Sequence, residues 1–133
     1  MLWSWWNRPK VDWLFTGKIA NPSQDRQQLV IRGDCGNFGD GNAHRVSVWI
    51  QRSSKVESER IATAPLLRPG EAVSFETTMH IAGLDRASVF VRWTPAPIRR
   101  RNERTSESYS TRDVFELSPL VVEADQKYRS SQD

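Results

Sequence analysis

Cys35 and His44 are the first residues here whose types could do chemistry, a thiol and an imidazole on either side of the stretch Asn37-Phe38-Gly39-Asp40-Gly41-Asn42-Ala43. A strand reversal at that stretch would bring them close enough to serve as thiolate and base. A cysteine nucleophile, however, also needs an orienting group and oxyanion donors. The remaining histidine, His80, falls on a strand face that the pattern leaves exposed. Cysteine is among the most often buried residue types simply as a small hydrophobe, and Cys35 is read that way. Asp34, Asn37 and Asp40 could offer oxygens to a hard cation such as Ca²⁺, yet the further Glu and the alternate spacing of an EF-hand are missing. A dinucleotide fingerprint fails too, since His44 stands where the third glycine would be and no helix follows. The Lys-Ser/Thr pair of a P-loop is also lacking. These residues therefore predict no catalytic group, no cofactor and no metal, and the stretch is read as a turn. Gly36, Gly39 and Gly41 would supply positive φ there, with Asn and Asp capping their own backbone.

Recognition chemistry is better represented. Trp49 and Phe90 fall on the outer faces of two strands expected to be neighbours, with Arg45 and Arg92 beside them, and exposed aromatics flanked by arginine are what interaction surfaces favour. Trp3, Trp5 and Trp6 open the chain ahead of Arg8 and Lys10. Such rings would pack on the domain end or on a neighbouring subunit, and their alternative use is peripheral association with an anionic membrane surface. Arg99, Arg100, Arg101 and Arg104 form the one dense basic cluster, diluted by Glu103 and Glu107. A solvated loop is the expected reading. Its alternative is contact with nucleic acid or another acidic partner, which would carry a strong salt dependence.

Composition narrows the classes. The 133 residues include 26% charged and 38% apolar types, enough for one domain with a single core. A net charge of +3 is too small to identify a nucleic-acid binder by itself. One cysteine precludes an internal disulfide and fits a reducing compartment. The start Met-Leu-Trp-Ser-Trp-Trp places its basic residues after the apolar ones, so a cytoplasmic chain made without export is expected.

The elements that must position these residues are strands. Val11, Trp13, Phe15, Gly17 and Ile19 alternate with more polar positions, as do Val46, Val48 and Ile50, then Val73, Phe75, Thr77 and Met79, then Val89, Val91 and Trp93. Further strands are expected over 28–35 and 61–67. Arg68-Pro69-Gly70-Glu71 has the Pro and Gly of a type II turn. Asp113 to Leu117 is expected as a last full strand, with a short terminal one at Leu120-Val121-Val122. About seven strands at intervals of roughly 8 to 15 residues predict an all-β, immunoglobulin-like β-sandwich with Greek-key connections. The expected organisation is a Trp-rich leader over 1–10, the sandwich over 11–123 with a mobile loop at about 98–110, and a disordered polar tail over 124–133.

The order of these signals resembles the bacterial immunoglobulin-like modules of the CARDB type. The likeness rests on Asn37-Phe38-Gly39-Asp40-Gly41-Asn42-Ala43 after Leu29-Val30-Ile31, and on Arg68-Pro69-Gly70-Glu71 before an alternating strand, and it covers residues 28 to 94. It implies a sandwich that works by adhesion or spacing through protein contact. The expectation is therefore a non-catalytic module with a protein partner, acting as a homo-oligomer or within a larger assembly. Small immunoglobulin-like chains of phage and prophage particles are the analogy at the level of fold.

Overall fold

The computed structural model describes residues 10–20, 28–95 and 103–132, with side chains through 130. Six long strands follow in order: β1 (Trp13–Ala20), β2 (Gln28–Asn37), β3 (Ala43–Gln51), β4 (Glu59–Leu67), β5 (Ala72–His80) and β6 (Ser88–Pro95). Three two-residue strands come later, β7 (Arg104–Thr105), β8 (Tyr109–Ser110) and β9 (Glu116–Leu117). One sheet has the order β5-β2-β1-β9, and the other runs β4-β3-β6-β7 with β8 also on β6. The protein is all-β, two sheets facing each other as a sandwich.

Alternation builds the interior as expected. Phe15 and Ile19 on β1 stand opposite Cys35 and Ile31 on β2, and all four are buried. Val48 and Ile50 on β3 stand opposite Val91 and Val89 on β6, again fully buried. Strands of period two put every second side chain on one face, so these pairs form the two inner layers. Phe15, Phe75 and Phe115 meet edge to face between the layers, with centroids 5.8–6.4 Å apart.

Several expectations are corrected. β2 runs on through Gly36 to Asn37, because those residues still pair with Leu14 and Trp13. Gly36, Gly39 and Gly41 do not use positive φ; among the described glycines Gly17 and Gly70 do. Gly39 is required for closeness instead, since a Cβ there would lie 2.0 Å from the Lys10 carbonyl oxygen. The type II reading of 68–71 is met, with Gly70 at φ 87° and the Glu71 N–H donating to Arg68 O at 3.0 Å. Residues 104–105 and 109–110, expected in a mobile loop, add short strands to β6.

The C-terminal part differs most. In place of a strand from Asp113 there is a helical turn, α1 (Thr111–Val114), and only Glu116 and Leu117 pair with β1, in parallel. In place of a short strand and a disordered tail there is a 14-residue helix, α2 (Pro119–Gln132). Its sequence is mostly polar, but Val121, Ala124, Asp125 and Tyr128 recur at helical spacing and form the face turned inward. Tertiary contact on that narrow face supplies the order that composition does not.

Candidate functional site

The glycine-containing turn is organised by one buried side chain. Asn37 is fully buried at the end of β2, and its Nδ2 donates to Gly41 O at 2.8 Å and to Leu67 O at 3.0 Å. Its Oδ1 accepts from the Gly39 N–H at 3.0 Å. Its backbone N–H donates to Glu71 O, and its carbonyl accepts from the Gly70 N–H. One side chain thus joins the β2–β3 turn to the β4–β5 turn, with its amide donors and its oxygen all engaged. The segment before β1 is stitched on as well, since Lys10 N–H donates to Asp40 Oδ1 at 2.6 Å and Lys10 O accepts from the Asp40 and Gly41 N–H groups. With Asn37 spent on the backbone and Asp40 on Lys10, these oxygens hold a turn together. Among the described residues no group of three or more His, Cys, Asp or Glu could hold a metal.

Cys35 and His44 are not brought together by any hydrogen bond or ion pair. Cys35 sits on β2 between Phe15 and Val73, whereas His44 sits on β3 in the opposite sheet between Leu66 and Thr94. Burial pushes the Cys35 thiol up to about 12, so it stays protonated at neutral pH. A protonated thiol in an apolar interior is a poor nucleophile. His80 is exposed, as expected, and its Nδ1 accepts from the Ala82 N–H at the start of the 3-10 turn Ile81–Gly83.

The aromatic face is assembled as the alternation requires. Trp49 and Phe90 are cross-strand partners on the face away from the core, with parallel rings (3° between planes) and centroids 6.3 Å apart. The Arg92 guanidinium lies over both, 4.9 Å from the Trp49 ring centre and 5.5 Å from that of Phe90. Trp49 Nε1 donates to Ser47 Oγ at 2.8 Å, which fixes the indole. One expectation fails: Phe90 is only 6% exposed, so the accessible parts of this face are Trp49 and Arg92. The Trp49 ring and the Arg92 guanidinium both lie against it. Arg45 is exposed on the same strand but does not join the stack. It takes φ 51° where β3 slips register against β6 between His44 and Ser47.

Arg104 is exposed on β7 opposite Trp93. Trp3, Trp5, Trp6, Arg99, Arg100 and Arg101 lie outside the described residues.

Two features were missed in the sequence. Phe38 is 67% exposed, its ring against Gly36, and Leu14, the strand partner of Gly36, is 46% exposed. Nothing in a single aromatic within a turn signals that. The other is an ionic ring. Arg112 meets Asp125 at 2.9 Å and Asp85 at 2.5 Å, and Arg129 meets Asp85 at 2.7 Å and Asp125 at 3.3 Å. The Arg112 Nε–Asp85 contact is a close charge pair without hydrogen-bond alignment. Burial opposes the charge on Arg112, and Asp125 and Asp85 outweigh it, so its guanidinium is held even more firmly protonated than usual. The spacing of Asp125 and Arg129 on one helical face was the available signal.

No protein-family model matches the chain, and no curated protein matches it in sequence. Among solved structures it is similar to β-glucosidase 3B from Thermotoga neapolitana in complex with glucose, at 16% identity and TM-score 0.33, over 76% of this chain and 16% of that one. It is also similar to a β-glucosidase from Erythrobacter marinus, at 15% identity and TM-score 0.31, over 72% of this chain and 15% of that one. A third likeness is to an ApaA protein from Bordetella pertussis, at 13% identity and TM-score 0.43, over 76% of this chain and 91% of that one. The chain spans about one sixth of the length of the β-glucosidases it matches.

Proposed function

We propose that this chain is a non-catalytic, immunoglobulin-like module that acts by protein–protein contact through the face carrying Trp49 and Arg92. The observation that carries the reading is the prebuilt stack of Trp49, Phe90 and Arg92. An indole held by Ser47 and by a neighbouring ring has little conformational freedom left to lose when a partner covers it. Trp and Arg are also the residues that most often dominate interface energetics. The guanidinium over the rings offers donors toward a carbonyl or carboxylate of the partner. A buried Cys35 with its thiol held protonated fits a module without catalytic chemistry.

The test compares wild type with Trp49→Ser and Arg92→Ala by sedimentation velocity across a concentration series and by thermal unfolding. Concentration-dependent association that is lost in both variants, with unfolding temperatures lowered by only about 2–4 °C, supports the reading. An unfolding temperature lowered by more than about 10 °C would make the stack a stability element instead. Association equal to wild type in both variants would remove this face as the contact surface.

A further inference from the structure

The ionic ring ties together three segments that are far apart in the chain. Asp85 follows the 3-10 turn after β5, Arg112 lies on α1, and Asp125 and Arg129 lie on α2. Each carboxylate meets both arginines, so the four groups close on themselves with no net charge. Asp125 is the one buried charged side chain among the described residues. A carboxylate in that position is tolerated only while its two cationic partners stay in place.

Besides the ring, α2 is held along one narrow face, where Val121 and Ala124 are buried and the Tyr128 ring meets His80 edge to face at 6.3 Å. It lies against β1 and the 3-10 turn, and Val121 and Ala124 belong to the common core. Its other side is wet, with Leu120, Val122, Glu123, Gln126 and Lys127 exposed. At 14 residues it is near the length at which an isolated helix is marginal in water. Phe115 meets both Phe15 and Phe75 in the aromatic core, so the chain up to that residue is anchored independently of α2.

We propose that α2 is a releasable cover over the end of the core where it meets β1 and the 3-10 turn, and that the ring of Asp85, Arg112, Asp125 and Arg129 is the clasp that keeps it closed. The reading is independent of the Trp49 face. Asp85 and Arg129 are more than half exposed, so salt screens that side of the ring while the sandwich, held by apolar burial, is left unaffected. Release of α2 as a unit is then a local opening, separate from global unfolding.

Hydrogen exchange of the full chain, read by NMR in about 0.05 M and about 0.5 M NaCl, tests this. In Arg112→Met the amides of 122–130 are expected to exchange about tenfold faster than in wild type while those of β2, β3 and β6 keep their protection. In wild type, high salt is expected to accelerate the same amides about threefold, with no further acceleration in Arg112→Met. Asp85→Asn, which removes an exposed carboxylate and leaves Asp125 paired, provides a second variant should Arg112→Met not fold. It is expected to give about a threefold acceleration confined to α2. Unchanged protection of α2 in the variants would overturn the clasp. Equal acceleration in α2 and in the strands would overturn the cover, because α2 would then open only with the whole fold.

Discussion

Asn37 shows how much of this molecule rests on single polar side chains. Replacing it with Ala would leave the Gly39 N–H and the Gly41 and Leu67 carbonyls buried without their partner, so a loss of about 2–4 kcal/mol is expected in urea unfolding. Asn37→Asp is expected to cost more near neutral pH, because a carboxylate oxygen would then face two carbonyl oxygens. That excess should shrink on acidification, since a protonated carboxyl can again donate. Cys35 makes a prediction of the opposite sign. Its thiol titrates at about 12 in the folded chain and near the ordinary thiol range when unfolded. Above pH ~9 the unfolded state therefore loses this proton first, and stability contributed by the neutral thiol declines at about 1.4 kcal/mol per pH unit toward pH ~12. Denaturant midpoints at pH 8 and pH 10.5 should fall less steeply in Cys35→Ala than in wild type.

Among the elements, β3 carries a conflict between local preference and packing. Arg45 adopts φ 51°, the left-handed region that a side chain with a Cβ disfavours, at the point where β3 slips against β6. The slip lets Ala43 and His44 pair with Pro95 and Thr94 while Val46 and Val48 still face the core. Arg45→Gly is expected to leave stability unchanged or raise it by about 0.5–1 kcal/mol, and Arg45→Val to lower it by about 1–2 kcal/mol. Thermal unfolding of the two variants side by side checks this. The strands themselves were legible from alternation, because half-buried strands impose period two on their residues. α2 was not, because its inward face is narrow, Val121, Ala124, Asp125 and Tyr128 in an otherwise mostly polar segment. The aromatic stack lay between these cases: cross-strand pairing of Trp49 with Phe90 followed from the pattern, whereas the burial of Phe90 did not.

For the whole molecule, the joint between the sheets deserves its own test. Arg52, just after β3, donates to Thr78 O at 3.1 and 3.2 Å and to Thr77 Oγ1 at 2.9 Å on β5, and it pairs with Glu59 on β4. One guanidinium thereby links the sheet containing β3 and β4 to the edge of the other and occupies a carbonyl on the edge strand β5. Arg52→Ala is expected to lower stability by about 1–2 kcal/mol and to increase light scattering near the unfolding midpoint, because an uncovered edge invites pairing with another chain. Loss of stability without added scattering would mean that Arg52 joins the sheets but does not guard the edge.

What the sequence determined by itself was the class of structure and its periodic parts. Period-two alternation marked the long strands, Pro69-Gly70 defined its turn, and the outward pairing of Trp49 and Phe90 followed, because each depends on interactions only a few residues long or on a simple face rule. Only the tertiary structure decided the rest. That Asn37 joins two turns, that Cys35 and His44 belong to opposite sheets, and that Asp85, Arg112, Asp125 and Arg129 close into a ring all depend on which distant segments meet. Pairing across the sandwich is settled by burial of the whole apolar surface at once, and no local pattern encodes it.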